Sequence, residues 1–400
     1  MSSTMKQHLI DPEICIRCHT CEATCPIEAI THNDDNVVVD QSKCNFCMDC
    51  IPVCPTGSID EWRVVQTPYT LEQQFEFMEL PEQEEFNATD TGSESLLEAL
   101  DTSVAELLSA AHEGAGGRSK APASASKPSI NLHTIAKPAT VTVQGNYRLT
   151  SVESEGDVRH IILDLGSLAF PVLEGQSIGV IAPGLQSDGR PHLPRLYSIS
   201  SPRSGERPNY NNLSLTVKRD EGGLCSNFLC DLEKGDSVQI TGPFGSTFLM
   251  PNDQEVPILM ICTGTGSAPF RAFTMQRQRT SSESSSTGGM TLVFGARTPD
   301  SLPYFGPLKK LPDSLLEKHL VFSRLEGQPK RYVQDELIDQ AQKMGELLMH
   351  PLVHVYICGL KQMEDGVEKA LDEIAESQGQ QWDVLRDSLR EEGRYHVETY

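Results

Sequence analysis

The sequence predicts a multidomain chain: a small, metal-cored α+β domain, then an antiparallel β-barrel, then a doubly wound α/β domain. Three observations predict this. Eight of the 12 cysteines fall in two identically spaced runs between Cys15 and Pro55. From about Pro138, short β-rich stretches are separated by turn residues. From about Pro257, apolar strand-like runs alternate with helical stretches, the pattern of a parallel sheet covered by helices. A chain of 400 residues has room for two or three domains, and a hydrophobic share of 38% supports packed cores beside a polar linker.

The first run reads C-I-R-C-H-T-C-E-A-T-C-P and the second C-N-F-C-M-D-C-I-P-V-C-P. Each has the spacing C-x₂-C-x₂-C-x₃-C-P, which is the pattern for two [4Fe–4S] clusters in which the fourth cysteine of each run serves the other cluster. Cys15, Cys18, Cys21 and Cys54 are therefore expected at one cluster, and Cys44, Cys47, Cys50 and Cys25 at the other. Two-residue gaps let a tight loop wrap three thiolates around one face of a cubane, and the three-residue gap with its proline turns the chain toward the second. Zinc is the first alternative, but it needs one tetrahedron, not the same run twice. A disulfide framework is the second, and nothing secretory accompanies it. The domain is placed at residues 1–65, with the clusters as its core.

Net charge is −23, and residues 1–120 carry 22 Asp/Glu against 6 Lys/Arg. That argues against nucleic acid and for either a partner with a basic docking face or a solvated acidic surface. Met1 to Gln7 is polar, and no stretch approaches the ~18 apolar residues of a spanning helix. The remaining cysteines (Cys225, Cys230, Cys262, Cys358) are scattered, which fits a reducing compartment. The reading is a cytoplasmic protein with no membrane partner.

Residues 66–137 read as an acidic and low-complexity linker. Within it, Ser95–His112 has helical apolar spacing that suits a homodimer contact or an internal docking helix, and Gly114–Pro128 reads as flexible. The barrel is placed at residues 138–254, with strands at Tyr147–Val152, His160–Leu165, Gln176–Ala182, Leu213–Lys218 and Ser237–Thr241. The α/β domain is placed at residues 255–400, with strands at Pro257–Cys262, Thr291–Phe294, Leu320–Ser323 and Val353–Ile357.

Several motifs lie in these two domains: R-L-Y-S (Arg195, Leu196, Tyr197, Ser198); V-K-R followed by G-L-C-S-N-F-L-C-D-L (Val217, Lys218, then Gly223 to Leu232); I-C-T-G-T-G-S-A-P-F (Ile261 to Phe270); F-S-R (Phe322 to Arg324); K-R-Y-V-Q (Lys330 to Gln334); Y-I-C-G-L-K (Tyr356 to Lys361); and a terminal V-E-T-Y. The glycines of T-G-T-G, after a strand and before a helix, permit a tight turn and close backbone approach to a pyrophosphate.

Together these motifs resemble the plant-type ferredoxin–NADP⁺ reductase family over roughly residues 138–400. The resemblance implies that Tyr197 packs on the flavin ring, Ser198 approaches flavin N5 and Arg195 pairs with the flavin pyrophosphate, which Arg suits by its planar fork. It implies that the loop and helix start around Val217, Lys218, Gly223, Leu224, Cys225 and Ser226 hold that pyrophosphate, where backbone N–H groups favour phosphate. Cys225 as a small apolar filler is the alternative. Thr263, Gly264, Thr265 and Gly266 are implied at the NADPH pyrophosphate and nicotinamide. Ser323, Arg324, Lys330 and Arg331 are implied at the 2′-phosphate, with Tyr332 on adenine and Gln334 beside it; a solvated basic surface is the alternative. Cys358 is implied near the nicotinamide, or is a buried structural cysteine. Tyr400 is implied as the aromatic stacked on the flavin, with Glu398 near the active site. The implied cofactors are FAD in preference to FMN, NADPH, and the two clusters.

The fused arrangement resembles the reductase components of benzoyl-coenzyme A epoxidase systems, which pass NADPH electrons to a separate di-iron epoxidase in aerobic benzoate breakdown. The expected activity is therefore an NADPH-dependent oxidoreductase feeding a separate oxygenase. Two alternatives stand beside it: a reductase for another terminal acceptor, and a subunit that only relays electrons in a larger complex. The intact nucleotide motifs weigh against the second.

Overall fold

The computed structural model describes the chain except residues 1–4, 48, 52, 60–61, 82–103, 105, 108, 113, 115–116, 118, 187–188, 208–209 and 281–287, and divides into two compact units. The first comprises residues 1–92 with 163–171 and 203–213, and the second the remainder.

In the first unit, strand β1 (Met5–His8) pairs antiparallel with β4 (Trp62–Val65), and β2 (Ile30–His32) with β3 (Val37–Val39). Helix α1 (Thr20–Thr24) lies inside the first cysteine run. Ile10, Ile30, Val37, Val39 and Ile59 form a small core into which Cys21 and Cys50 are packed. Part of the segment expected to be linker folds back here. Helix α2 (Leu71–Phe75) carries a capping box between Thr70 and Gln73, which satisfies two of the end N–H groups. Gln74 then exchanges hydrogen bonds with the Val39 backbone, accepting at 3.1 Å and donating at 3.0 Å, so α2 is tied to β3. Of the helix expected at Ser95–His112, part lies outside the described residues; residues 104, 106, 107 and 109–111 are helical.

The second unit holds two sheets. Six strands run in the order β8-β7-β10-β5-β6-β9: β5 (Ala139–Arg148), β6 (Val158–Asp164), β7 (Ser177–Ile181), β8 (Arg195–Ser198), β9 (Asn212–Lys218) and β10 (Ser237–Phe244). An antiparallel bridge from Ile199 to Leu215 joins the two ends of that order, so the sheet closes on itself. Burial alternates along Ala139–Val143, as one face of a pleated strand requires. The strand expected at Tyr147–Val152 starts earlier, at Ala139, and ends at Arg148; the residues beyond form a turn in which Thr150 Oγ1 donates to the Gly156 carbonyl at 2.6 Å. Helix α3 (Leu224–Asp231) follows β9.

The other sheet is wholly parallel, in the order β13-β12-β11-β14-β15: β11 (Ile258–Thr263), β12 (Met290–Ala296), β13 (Leu316–Phe322), β14 (His354–Gly359) and β15 (Tyr395–Thr399). Helices α4 (Ser267–Thr280), α5 (Phe305–Lys310), α6 (Val333–Asp339), α7 (Ala341–Leu348), α8 (Lys361–Ser377) and α9 (Trp382–Glu391) connect its strands. Side chains of β11 divide by parity. Leu259 and Ile261 join Val367, Leu371 and Ile374 of α8, whereas Ile258, Met260 and Cys262 join Phe270 and Phe273 of α4. Two cores on opposite faces are why these strands read as unbroken apolar runs. The strand order reverses between β11 and β14, the point where such sheets bind ligands at their carboxyl ends.

Barrel and α/β domain are joined through Tyr304. Its hydroxyl lies 2.9 Å from His160 Nδ1 and 2.6 Å from Thr216 Oγ1, and the Arg271 guanidinium covers its ring at 5.0 Å. Arg271 also donates to the Ser200 carbonyl at 2.8 Å. The stretch expected to be flexible, from Gly114 to Pro128, is anchored in its later part. Lys120 N–H donates to the Arg390 carbonyl, Ser124 Oγ accepts from the Asp253 N–H, and Ser126 Oγ accepts from Asn252 Nδ2.

Candidate functional site

The eight cysteines gather into two cavities. One is lined by Cys15, Cys18, Cys21 and Cys54, with Val37, Thr56 and Ser58. The other is lined by Cys25, Cys44, Cys47 and Cys50, with His8, Ile30 and Val39. The fourth thiol of each run thus faces the other run's three. Arg17, His19 and Phe46, inside the two-residue gaps, have φ of 56°, 57° and 60°, a left-handed twist that lets a short loop turn successive thiols inward. None of the eight is joined in a disulfide. Burial pushes the Cys21 thiol up to about 11 and Cys50 further, with the neighbouring cysteines adding to the rise. Polar donors nevertheless point at sulfur: the Ala29 N–H reaches Cys25 Sγ at 3.2 Å, Thr20 Oγ1 donates to Cys18 Sγ at 3.4 Å, and Ser58 Oγ lies 3.3 Å from Cys54 Sγ. A set of four thiols converging on one cavity, with hydrogen-bond donors at sulfur, is the donor set of an iron–sulfur cluster.

At the barrel, β8 presents Arg195 exposed and Leu196, Tyr197 and Ser198 half-buried. Burial raises the Tyr197 phenol above its ordinary range, with the Cys225 thiol beside it adding to the rise. Gly223 is the N-cap of α3 and offers no side-chain cap. Cys225 Sγ turns inward toward the Val180 carbonyl at 3.6 Å, and Ser226 Oγ back toward the Gly223 carbonyl at 3.2 Å. The uncapped backbone N–H groups are therefore what this helix start offers a phosphate. Leu224 and Lys218 are exposed, whereas Val217 is fully buried in β9.

At the carboxyl end of β11, Gly264 adopts φ +56° and a Cβ at Gly266 would stand 2.2 Å from the Cys358 carbonyl oxygen. Only glycine allows this turn to press against β14. Thr263 Oγ1 is buried without a hydrogen-bond partner, an orphaned donor at the place where a nucleotide would lie. Thr265 Oγ1 lies 2.8 Å from the Tyr400 hydroxyl, and the Tyr400 N–H donates to the Gly359 carbonyl at 3.0 Å. Cys358 is fully buried opposite Cys262 on β11 and Glu398 on β15, and burial pushes its thiol well up.

Ser198 Oγ donates to Glu398 Oε1 at 2.5 Å, and His112 Nε2 lies 3.4 Å from Glu398 Oε2. Beyond β13, Ser323 N–H donates to the Ala296 carbonyl at 3.0 Å. Arg324 donates to Glu155 at 2.8 Å, and Arg297 to the same carboxylate oxygen at 2.6 Å. Lys330 and Tyr332 are exposed, and Gln334 is half-buried against Gly366. Arg331 is exposed and donates to Glu336 at 2.9 Å and to Asp339. Sequence reasoning missed Arg297, Glu155 and His112. Arg297 had a readable signal, since it directly follows β12 at the ligand-binding end of the sheet; the other two had none.

The family profile described as a 4Fe-4S dicluster domain matches residues 14–58, and that of the oxidoreductase NAD-binding domain matches residues 260–369. The cyanelle ferredoxin–NADP reductase of Cyanophora paradoxa is 38% identical over 290 residues, covering 68% of this chain and 79% of the relative. The ferredoxin–NADP reductase of Spirulina sp is 36% identical over 288 residues, covering 68% of this chain and 98% of the relative. Among solved structures, the ferredoxin-NADP⁺ reductase from Plasmodium falciparum is similar with a TM-score of 0.54 and 28% identity, over 68% of this chain and 99% of that one. Fold and cavities thus define a flavin- and nicotinamide-dependent oxidoreductase that carries its own pair of iron–sulfur sites. The chain belongs to the ferredoxin–NADP reductase family, with a 4Fe–4S dicluster domain fused to the reductase module. It takes FAD, NADP(H) and two [4Fe–4S] clusters. Among the described residues, no helix is long and apolar enough to cross a membrane.

Proposed function

We propose that this chain draws electrons from NADPH and delivers them to a separate oxygenase, specifically the epoxidase of a benzoyl-coenzyme A epoxidase system. When bound, FAD would supply two-electron exchange with NADPH, and the two clusters would supply one-electron transfer. The chain's own residues set the geometry. Tyr197 and Tyr400 would hold the flavin ring between them, and Tyr400 would give way for the nicotinamide. Glu398 holds Ser198 by the 2.5 Å hydrogen bond, so that the hydroxyl stands where a proton is handled beside the flavin. The T-G-T-G turn presents bare backbone to the pyrophosphate, and Arg324 with Lys330 reads the 2′-phosphate. The two cysteine quartets hold the clusters, each quartet built from both runs.

The observation that carries this reading is the coexistence in one chain of the Ser198–Glu398 pair and two four-thiol cavities. A two-electron donor site and one-electron carrier sites in the same polypeptide make an electron-splitting reductase. The excess acid of residues 1–120 supports an acceptor with a basic face. The choice of the epoxidase rests on the resemblance of the fused arrangement.

The test is anaerobic. Iron, sulfide and flavin are quantified, then NADPH is titrated in while flavin bleaching and the reduced-cluster EPR signal are followed. About eight irons, one FAD and cluster reduction by NADPH are expected. Benzoyl-coenzyme A epoxidation on adding the purified epoxidase identifies the acceptor. Cluster reduction without that product transfers the same chemistry to another terminal acceptor, and flavin reduction with silent clusters overturns the electron path.

A further inference from the structure

His112 belongs to the segment between the dicluster domain and the barrel, 286 positions from the glutamate it meets. Both side chains are almost fully buried, at 6% and 8% exposure. A buried carboxylate needs a partner for each oxygen. Glu398 Oε1 accepts from Ser198, and Oε2 faces the His112 imidazole. The imidazole is itself held in place. It stacks on Phe248 with centroids 6.2 Å apart and planes 16° apart, and its Cε1 lies 3.7 Å from where a Cβ would stand on Gly245.

The backbone around His112 is shaped for that position. A Cβ on Gly114 would meet the Val397 Cβ at 2.8 Å, and Gly114 adopts φ +34°, so only glycine lets the segment pass this close to β15. Further on, a Cβ on Gly393 would stand 2.2 Å from the Ala121 carbonyl oxygen. Val104, one of the helical residues upstream, is buried to 2% exposure. The segment therefore passes close to the Val397 side chain of β15 at Gly114 and to the turn that leads into β15 at Gly393.

We propose that this inter-domain segment completes the reductase site by supplying His112 as a positioning residue, whose Nε2–H holds the Glu398 carboxylate so that its other oxygen stays on Ser198. The inference rests on the reading of Ser198 and Glu398 as the pair beside the flavin. It makes the connection between the two redox modules part of the catalytic architecture: displacing the segment releases one oxygen of Glu398 and lets the carboxylate rotate away from Ser198.

Three full-length holoenzyme variants test it: His112→Leu, which keeps bulk without a donor; His112→Gln, which keeps an N–H donor; and Glu398→Gln. The kinetic readout is stopped-flow flavin bleaching by NADPH, with NADP⁺ affinity from difference spectra. A second readout, independent of turnover, is the histidine Cε1 NMR signal that disappears in His112→Leu. The expected result is an about tenfold slower bleaching in His112→Leu with NADP⁺ affinity unchanged, recovery of most of that loss in His112→Gln, and displacement of the His112 signal by Glu398→Gln. Normal bleaching in His112→Leu, equal loss in both His112 variants, or a His112 signal blind to Glu398→Gln overturns the proposal. If Glu398→Gln itself bleaches at the normal rate, the reading of the site fails. If it is slow while His112→Leu is normal, only the role of His112 fails.

Discussion

Ser198 and Glu398 stand 200 positions apart in the chain and share a hydrogen bond of 2.5 Å. Ser198 closes the barrel strand β8 and Glu398 lies on the last strand of the parallel sheet, so the bond forms only when both domains are folded and docked. Ser198→Ala removes the donor and keeps the backbone. Flavin reduction by NADPH is expected to slow by roughly 10²-fold, the scale of losing a positioned proton-handling group, with NADP⁺ affinity within about threefold. A normal bleaching rate in stopped flow removes Ser198 from the mechanism.

The cavities predict which cysteines act together. Cys54→Ser is expected to cost the cluster of Cys15, Cys18 and Cys21, leaving about four of about eight irons. Adding Cys15→Ser to Cys54→Ser then loses no further iron, whereas adding Cys44→Ser loses the rest. Iron and sulfide analysis of the two double variants decides it. The reverse pattern means that each run keeps its own fourth cysteine.

Glu155 occupies both Arg297 and Arg324 through one carboxylate oxygen. These side chains are about half exposed or more, so the pair is worth at most about 1 kcal/mol. Glu155→Gln frees two guanidinium groups for a dianionic phosphate and is expected to lower the KM for NADPH by up to about fivefold, with kcat and the KM for NADH unchanged. Arg324→Ala is expected to raise the KM for NADPH alone. Equal changes for both nucleotides place these arginines away from the 2′-phosphate.

Gly266 leaves no room for a methyl group, since a Cβ would lie 2.2 Å from the Cys358 carbonyl oxygen. One partner is the tight turn after β11 and the other the backbone of β14, so neither yields easily. Gly266→Ala is expected to cost about 1–3 kcal/mol of stability and to weaken NADP⁺ binding while leaving FAD bound. Thermal unfolding and an NADP⁺ titration check this; unchanged affinity separates the turn from the nucleotide.

Two buried histidines set an acid limit on stability. Burial, with the Arg394 and Arg277 charges, depresses His354 to about 4, and burial with the neighbouring His354 depresses His396 to about 3. Both are neutral in the fold, whereas the unfolded chain protonates them below about pH 6.5. The unfolded state therefore binds more protons as pH falls, and stability is lost from about pH 6.5 downward, by up to about 1.4 kcal/mol per pH unit for each histidine, until the folded values are reached. His354→Gln is expected to flatten the decline of Tm between pH 6.5 and 4 relative to the parent. An identical slope shows that His354 does not titrate on unfolding.

Legibility in the sequence followed from how local each feature is. β11, β12 and β14 were readable because both faces are buried and their runs are largely apolar, whereas β13 was read only from its apolar end at Leu320, the E-K-H that follows Leu316 being half-buried. β15 was not read as a strand, because Y-H-V-E-T mixes polar and apolar residues; Thr399 Oγ1 is satisfied inside the fold by Glu364 at 2.8 Å, and His396 Nε2 by the Gly393 carbonyl at 2.8 Å. The segment around Lys120–Ser126 looked flexible by composition, yet its backbone and serines find partners on elements more than a hundred residues away. Small polar residues carry no periodic signal even when they are fully docked.

The chemistry expected of this protein is legible in short stretches of its chain. Thiol spacing called for two clusters, T-G-T-G for a pyrophosphate turn, and the basic residues after β13 for an NADP phosphate. Those features are written within a few residues of each other, and local backbone geometry suffices to assemble them. Only the tertiary structure decided which groups face one another: Ser198 and His112 on the two oxygens of Glu398, Glu155 on Arg297 and Arg324, and Arg331 turned to Glu336 and Asp339. The reason is physical. Such encounters depend on strand order, on barrel closure and on where a connecting segment is packed, and each of these is settled by the burial of the whole chain, not by any stretch of it.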